Sequence, residues 1–111
     1  MDTQRFGGIA RLYGQAGLQR LQQAHVAVVG IGGVGSWAAE ALVRSGVAEI
    51  TLIDLDDICV TNTNRQAHTL ASTVGQLKVD AMAERLLAIN PACRVHAVAD
   101  YITEDNLAEL L

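Results

Sequence analysis

The chain has 111 residues, the size of one domain, and its content of 50% hydrophobic and 18% charged residues excludes intrinsic disorder. A net charge of −4 argues against a basic surface for nucleic acid or for an anionic membrane within these residues. No apolar run is long enough to span a bilayer and the N-terminus does not resemble a signal peptide, so we expect a cytoplasmic protein without membrane contact.

The first half of the chain predicts two helices and two strands: helix 9–23, strand 25–29, helix 36–45 and strand 49–54. Gly14 and Gly17 interrupt the first helix, which leaves two short helical pieces as an alternative. Its apolar stripe is Ile9, Leu12, Tyr13 and Ala16, and the apolar face of the second helix is Trp37, Ala38, Ala41 and Leu42. The compact run 25–29 predicts a fully buried strand.

The second half begins with a polar stretch, residues 55–73, which is long for a connection and is therefore expected to be functional or disordered. A helix over 76–90 follows, with Val79, Met82, Ala83 and Leu86 as its stripe, and Pro91 ends it. Residues 94–99 predict a third strand, and Thr103 is a plausible N-cap for a last helix that continues to Leu111.

Strands that alternate with helices predict a parallel sheet with right-handed crossovers. The fold class is therefore α/β, a Rossmann-like doubly wound and mainly parallel sheet of which the first three strands are present. We expect a helical segment over 1–24 and a βαβαβ core over 25–111, which is cut inside the helix that follows the third strand.

A glycine cluster lies between the first strand and the second helix. The segment Gly30-Ile31-Gly32-Gly33-Val34-Gly35 fits the pattern GxGxxG in the context that a phosphate-binding turn requires. Such a turn needs close backbone approach to phosphate, and the free N–H groups at the helix start then face the anion. Asp54 ends the second strand, where a carboxylate accepts hydrogen bonds from ribose hydroxyls. Together these features predict a nucleotide without separating NAD from ATP.

The residues that follow discriminate between nucleotides. Residues 54–57 hold three carboxylates, which fit a solvated turn, a ribose site or a Mg²⁺ site. Lys78, the only lysine of the chain, falls near the start of a helix, where the helix dipole disfavours a cation, so a purely structural role is less attractive. A lysine and an arginine that converge on a triphosphate would stabilise charge during phosphoryl or nucleotidyl transfer.

These motifs resemble the ThiF/MoeB/HesA family, the bacterial relatives of ubiquitin-activating enzymes. The resemblance extends over almost the whole chain, through Arg5-Phe6, the glycine cluster 30–35, residues 54–56, the run Asn62-Thr63-Asn64-Arg65-Gln66, residues 75–78 and Ile89-Asn90-Pro91. Members adenylate a carboxylate with MgATP and are usually dimers. The resemblance therefore implies an ATP-dependent adenylating enzyme and a homodimer.

The resemblance also assigns the site residues. The positions that would bind ATP are Gly30, Gly32, Gly33, Gly35, Asp54, Asp56, Asn62, Asn64, Arg65 and Lys78. Of these, Asp54 would hold the ribose, and Asn62, Arg65 and Lys78 would lie along the triphosphate. Arg65 and Lys78 are the catalytic candidates, because they would neutralise charge as pyrophosphate leaves.

Within the family, the residues around 5–14, 29–42 and 56–66 are most similar to a branch that activates a threonine-derived carboxylate on a modified adenosine of tRNA and closes it to a ring with loss of water. Two departures from the family pattern concern the site. Gly8 stands where other members carry an arginine, and Arg11 is an uncertain substitute. The family's Mg²⁺-binding aspartate follows a fourth strand, which is expected beyond residue 111, so residues 1–111 alone are expected to be inactive.

Three other functions stay open. An adenylating enzyme of MoeB or ThiF type would act on the C-terminus of a ubiquitin-like sulfur-carrier protein, against which Gly8 counts. An NAD-dependent oxidoreductase would explain the glycines and Asp54 but not residues 62–66. A binding module without activity of its own would fit residues 1–111 taken alone.

Histidines and cysteines are expected mainly to be packing or edge residues. His25 and His96 are expected to be packing or edge residues of strands, and His68 is also expected to be a packing residue, with approach to the nucleotide as the alternative. Cys59 and Cys93 form no CxxC pair, so neither a zinc site nor a disulfide framework is expected, and no metal ligand is assigned.

Overall fold

The structure, a computed structural model, describes residues 3–110. In chain order its elements are α1 (Thr3–Gln23), β1 (His25–Val29), α2 (Gly35–Arg44), β2 (Glu49–Ile53), a 3₁₀ helix (Val60–Asn64), α3 (Lys78–Ile89), β3 (Arg94–Val98) and α4 (Leu107–Leu110). All elements that the sequence predicts are present, although α1 begins six residues earlier than predicted. The predicted end of the last helix at Leu111 lies outside the described residues. None of the described helices is long and apolar enough to cross a membrane.

The three strands form one parallel sheet in the order β1-β2-β3. His25 pairs with Glu49, which pairs with Arg94, and the register continues to Val29, Ile53 and Val98. The α/β class and the parallel sheet are therefore confirmed. Because the strands are in register, their carboxyl ends lie at one edge of the sheet and their amino ends at the other.

The core lies between the sheet and the helices α2 and α3. Ile50 and Leu52 of β2 are fully buried against Val43 of α2 and against Met82 and Leu86 of α3. The stripe predicted for α3 is thus confirmed at its main positions, since apolar residues at helical spacing bury one face of a helix. α2 and α3 thereby flank the carboxyl edge of the sheet from one face.

The prediction of a fully buried β1 is wrong. Its residues alternate between exposed and half-buried, and Val29 keeps 56% of its surface exposed. β1 is the edge strand of the described sheet, and α2 and α3 cover only one face of it. A run of small apolar residues therefore did not distinguish a central strand from an edge strand.

The apolar face predicted for α1 is also wrong, and the face predicted for α2 is confirmed only at Leu42, which packs against the core. α2 buries Ser36, Ala39, Glu40 and Val43, while Trp37 stays 49% exposed. α1 buries Phe6 and Leu18 instead of the predicted stripe, and Leu12 and Tyr13 are exposed. The kink is confirmed, because Gly14 adopts a positive φ of 78° inside α1. These helices thus carry apolar side chains that no described element covers.

The buried carboxylate of α2 has a partner on α3. Arg85 Nε donates to Glu40 Oε1 at 2.6 Å, and Arg44 lies 3.8 Å from the same oxygen. A carboxylate is tolerated on a buried helix face only when it is paired in this way. The pair fixes α2 relative to α3 on the covered face of the sheet.

The polar stretch 55–73 is ordered. It contains the 3₁₀ helix and a set of turns, and the consecutive residues Gln66 to Thr69 are buried, whereas residues 63–65 are exposed. An isolated antiparallel bridge joins Asp57 to Leu77 just before α3. The stretch thus forms a wall beside the carboxyl edge of the sheet.

Candidate functional site

The carboxyl edge of the sheet opens into a pocket of about 260 Å³. It is lined by residues that follow all three strands: Val29, Gly30, Ile53, Asp54, Asp56, Asp100, Tyr101 and Ile102. Ligands of open parallel sheets bind at this edge, outside the carboxyl ends of the strands.

The glycine loop, residues 30–35, begins at this pocket, which Gly30 lines. Gly30 has a φ of 88°, and its N–H donates to the carbonyl of Ile53 at 2.8 Å, which ties the start of the loop to β2. A Cβ placed on Gly35 would lie 1.7 Å from the carbonyl oxygen of Gly30. Since no side chain fits there, the sequence spacing of the glycines follows from the tightness of the turn.

Asp54 braces the glycine loop from the end of β2. Its Oδ2 accepts the N–H of Ile31 at 2.7 Å, and its Oδ1 accepts the N–H of Asp56 at 2.8 Å. Each carboxylate oxygen has two lone pairs, so both oxygens can accept a further hydrogen bond from a hydroxyl. The position predicted for ribose binding is thus held rigidly at the edge of the pocket.

The segment that follows the 3₁₀ helix is docked onto the glycine loop and α2 by three hydrogen bonds. Trp37 Nε1 donates to the carbonyl of Arg65 at 2.7 Å, and the N–H of Ala67 donates to Ser36 Oγ at 3.1 Å. The His68 ring bonds to the carbonyl of Ile31 at 2.7 Å. The bonded residues are 28, 31 and 37 positions apart in sequence, and they meet because the glycine loop follows β1 while the segment follows the neighbouring strand β2.

Arg65 is brought directly against the glycine loop. A Cβ on Gly33 would lie 3.3 Å from the Cγ and Cδ of Arg65, so the glycine leaves room for the arginine stem. The guanidinium donates to Asn64 Oδ1 at 2.9 Å and is exposed. Two of the predicted site residues, Asn64 and Arg65, therefore present one cationic group beside the loop.

Asn62 is buried and serves the loop itself. Its Oδ1 accepts the N–H of Cys59 at 2.9 Å, which caps the 3₁₀ helix. The side-chain oxygen is thus engaged inside the protein. Asn62 holds Asn64 and Arg65 in place through the fold of this turn.

Lys78 is the first residue of α3 and is only 8% exposed. Its N–H donates to the carbonyl of Asp56 at 3.0 Å, which sets it next to the acidic end of β2. Within residues 3–110 its ammonium group has neither a hydrogen bond nor an ion pair. An ammonium group without a counter-ion is free to pair with an anion that approaches from outside.

His68 has a supporting role inside the fold, as its interpretation as a packing residue predicted. It is 1% exposed, and burial lowers its pKa, as do the positive charges of Lys78 and Arg85. The hydrogen bond to the carbonyl of Ile31 and the charge of Asp54 act in the opposite direction. A neutral His68 therefore supports the glycine loop through its hydrogen bond to Ile31.

Sequence reasoning missed Tyr101. Its hydroxyl donates to Asp56 Oδ1 at 3.2 Å, and the negative charge of Asp56 raises the pKa of this phenol. The signal that could have found it is position alone, because Tyr101 follows the carboxyl end of β3 as Asp54 follows that of β2. Gln66 was quoted only as part of a motif, yet its buried Oε1 lacks a hydrogen-bond partner in the described chain.

The acidic residues at this edge do not assemble a metal site by themselves. Among residues 3–110, Asp54, Asp56 and Asp57 form no group of three close ligand atoms. Both carboxylate oxygens of Asp54 also accept hydrogen bonds from backbone N–H groups. The described carboxylates at this edge thus form no group of three metal ligands.

A known enzyme is similar to this chain over nearly all of its length. The tRNA threonylcarbamoyladenosine dehydratase of Escherichia coli K12 is 62% identical over 108 residues, which cover 97% of this chain and 40% of that protein. A crystal structure of E. coli tRNA N6-threonylcarbamoyladenosine dehydratase in complex with ATP matches with a TM-score of 0.94 and 63% identity. That match covers 96% of this chain and 44% of the solved chain.

A more distant relative has a different named activity. The molybdopterin-synthase adenylyltransferase of Salmonella typhimurium is 36% identical over 103 residues, 93% of this chain and 41% of that protein. This chain thus spans less than half the length of the curated relatives it matches. The sequence profile of the ThiF family matches residues 7–111, and the chain belongs to the ThiF family.

Proposed function

We propose that the pocket at the carboxyl edge binds ATP and that the protein uses it to adenylate a carboxylate. The observation that carries this proposal is Lys78, a residue only 8% exposed whose ammonium group has no hydrogen-bond or ion-pair partner among the described residues. Its charge acts on His68, whose ring bonds to the carbonyl of Ile31 in the glycine loop, and Arg65 packs against the same loop. Two cations at a phosphate-binding turn suit a triphosphate better than the diphosphate bridge of NAD.

The substrate we propose is N6-threonylcarbamoyladenosine in tRNA. The support is the 62% identity with the E. coli dehydratase and the related structure that contains ATP. Because this chain spans 40% of that relative, residues 1–111 would be the N-terminal ATP-binding part, with a helical segment 1–24 and a core 25–111. The tRNA-binding surface would then lie outside these acidic residues.

The proposed reaction has two steps. The threonine-derived carboxylate attacks the α-phosphorus of ATP, the bond from the α-phosphorus to the β-phosphate oxygen breaks, and pyrophosphate leaves. The neighbouring carbamoyl oxygen then attacks the activated carboxyl carbon, and AMP leaves with one carboxylate oxygen. The net change is a ring closure with loss of one water from the nucleoside.

The residues of this chain would act mainly by charge. Backbone N–H groups of the glycine loop would face the phosphates, as at other helix starts that follow such turns. Asp54 would accept hydrogen bonds from ribose hydroxyls. Arg65 and Lys78 would stabilise the charge that develops on pyrophosphate, a contribution that grows in a site from which water is excluded.

We infer a homodimer, a cytoplasmic location and a need for Mg²⁺ as further parts of this function. The support for a dimer is a groove of about 490 Å³ between α1 and α2, lined by Tyr13, Gly17, Arg20, Leu21, Leu42 and Ser45. The support for a cytoplasmic location is the tRNA-directed activity named for the relative. The principal Mg²⁺ ligand would lie beyond residue 111, because the carboxylates at this edge form no complete site.

The proposal is tested by binding and by pyrophosphate exchange in the full-length protein. Titration calorimetry should show ATP binding, whereas NAD should not compete. Lys78→Ala and Arg65→Ala should each abolish most of the exchange that modified tRNA stimulates. Arg44→Ala is the matched control, because it removes an exposed arginine whose only described ion pair is a 3.8 Å contact with Glu40. Wild-type exchange in both site variants, or tight NAD binding without ATP binding, would reject the proposal.

A second candidate is the adenylation of the C-terminus of a ubiquitin-like sulfur-carrier protein. The Salmonella adenylyltransferase, 36% identical, favours it. The same exchange assay separates the two, since a carrier protein would then stimulate exchange while modified tRNA would not. A residue-level discriminator is Gly8, which stands where that branch carries an arginine.

A further inference from the structure

Two histidines and a glutamate come together far from the nucleotide pocket. His25 and Glu49 begin β1 and β2, and His96 lies in the middle of β3. One ligand atom from each of the three lies within 4.8 Å of the others. The cluster is near the amino ends of the strands, so the length of a five-residue strand, about 15 Å, separates it from the carboxyl edge.

The carboxylate of Glu49 faces both imidazole rings with the same oxygen. His96 Nε2 lies 2.8 Å from Glu49 Oε2, and His25 Nδ1 lies 3.9 Å from it. The two rings are 5.5 Å apart between centroids and are tilted by 44°. Two ring nitrogens and one oxygen therefore surround a common point on the open face of the sheet.

Neighbouring residues orient two of these three groups. His25 Nε2 and Thr51 Oγ1 are 2.7 Å apart, and when Nε2–H donates to this hydroxyl the lone pair on Nδ1 faces Glu49. Arg94 donates to Glu49 Oε1 at 3.0 Å, which leaves Oε2 directed at the histidines. A hydrogen bond on the far nitrogen is the usual support of a histidine that binds a metal.

We propose that His25, Glu49 and His96 bind one divalent transition-metal ion of the Zn²⁺ type through His25 Nδ1, Glu49 Oε2 and His96 Nε2. Two imidazoles and a carboxylate are a ligand set that Zn²⁺ accepts, with a fourth position open to water. The ion would join all three strands on the face that α2 and α3 leave open. This site is independent of the proposed adenylation.

Distances and charge are compatible with this ion. Ligand atoms around a tetrahedral Zn²⁺ lie about 3.4 Å apart, as bond lengths of about 2.1 Å require. Both imidazoles are about half exposed, so each ring can rotate and bring its nitrogen to the distance that Zn²⁺ requires. The nearby positive charge of Arg94 is weakened by water, because 69% of its side chain is exposed.

The first test is calorimetric titration of the metal-free full-length protein with Zn²⁺. We expect one Zn²⁺ per chain, with affinity at least tenfold lower in Glu49→Gln and in His96→Ala. Thr51→Val keeps the side-chain shape, removes the hydroxyl and should weaken binding by about 10–100-fold. Glu84→Gln is the matched control, because it makes the same charge change on an exposed residue of α3. Equal affinity in all of these proteins would overturn the proposal.

The second test reads the ligand atoms directly. In a ¹⁵N-labelled protein, Zn²⁺ should shift the imidazole resonances of His25 Nδ1 and His96 Nε2. Those of the buried His68 should not move, which makes it an internal control. Zinc that leaves the His25 and His96 resonances in place, and so binds elsewhere, would contradict the assignment. Circular dichroism of each variant verifies that the fold is kept.

Discussion

Lys78 is the residue on which the nucleotide proposal depends most. Without a ligand its ammonium has no counter-ion in the described chain, although the residue is only 8% exposed, so bound phosphate would supply the missing partner. Lys78→Met keeps the length of the side chain and removes the charge. We expect an ATP affinity more than about tenfold lower, since a hydrogen bond to a charged group is worth about 1.5–3 kcal/mol.

The same substitution makes a prediction about stability that separates binding from structure. In the absence of nucleotide, the melting temperature of Lys78→Met should equal or exceed that of the wild type, as measured by differential scanning calorimetry. A variant that melts earlier and still binds ATP with wild-type affinity would show that Lys78 is structural.

Gly35 tests the geometry of the glycine loop. Because a Cβ there would lie 1.7 Å from the carbonyl oxygen of Gly30, Gly35→Ala must displace the loop. We expect a loss of at least about 1–3 kcal/mol in the free energy of unfolding, together with weaker ATP binding. Gly7→Ala is the control, because its Cβ would meet only Arg11 at 3.9 Å inside α1. Urea denaturation measures the free energy of unfolding of both variants. Equal stability of Gly35→Ala and the wild type would refute this reason for the glycine.

Among the elements, the segment 65–69 depends on pH through His68. Burial lowers the pKa of His68 below its ordinary 6.5, so the unfolded chain binds a proton more readily than the folded one. The contribution of this histidine to stability is therefore complete above about pH 6.5 and is lost as the pH falls toward the folded pKa. His68→Gln should show a flatter dependence of melting temperature on pH between about 5 and 7. Parallel curves for the two proteins would exclude His68 as the cause.

The sequence predicted the elements that follow from local patterns and failed where packing partners decide. The helical spacing of Val79, Met82 and Leu86 was enough for α3, and the glycine cluster was enough for the turn after β1. α2 has apolar residues on two faces, and sequence spacing did not reveal that the sheet takes Ala39 and Val43 rather than Trp37. The reason is that a helical pattern reports apolarity and not the identity of the neighbour.

The same limit applies to the site. The sequence predicted Asp54 at the end of β2 and Lys78 near the start of a helix, and the structure has both there. It could not predict that Asp54 Oδ2 accepts a hydrogen bond from the glycine loop, or that Tyr101 bonds to Asp56, because these contacts join separate strand ends. The sequence did not predict the cluster of His25, Glu49 and His96 for the same reason, since only the register of the sheet brings them together.

For the whole molecule, the uncovered apolar side chains of α1 and α2 predict self-association. Tyr13 lines the groove between these helices, and a charge there would have to be desolvated in a dimer. We expect light scattering to report a dimer for the full-length wild type and a monomer for Tyr13→Asp. Leu87→Asp, on the outer side of α3, should remain dimeric. A wild-type monomer at micromolar concentration would contradict the inference.

The most direct measurement is mass spectrometry of tRNA nucleosides after incubation of modified tRNA with the full-length protein and MgATP. We predict that N6-threonylcarbamoyladenosine loses one water in an ATP-dependent manner with the wild type, and that Lys78→Ala leaves it unchanged. Nucleoside that stays intact with the folded wild-type protein, or that loses water without ATP, would contradict the proposed adenylation at this pocket.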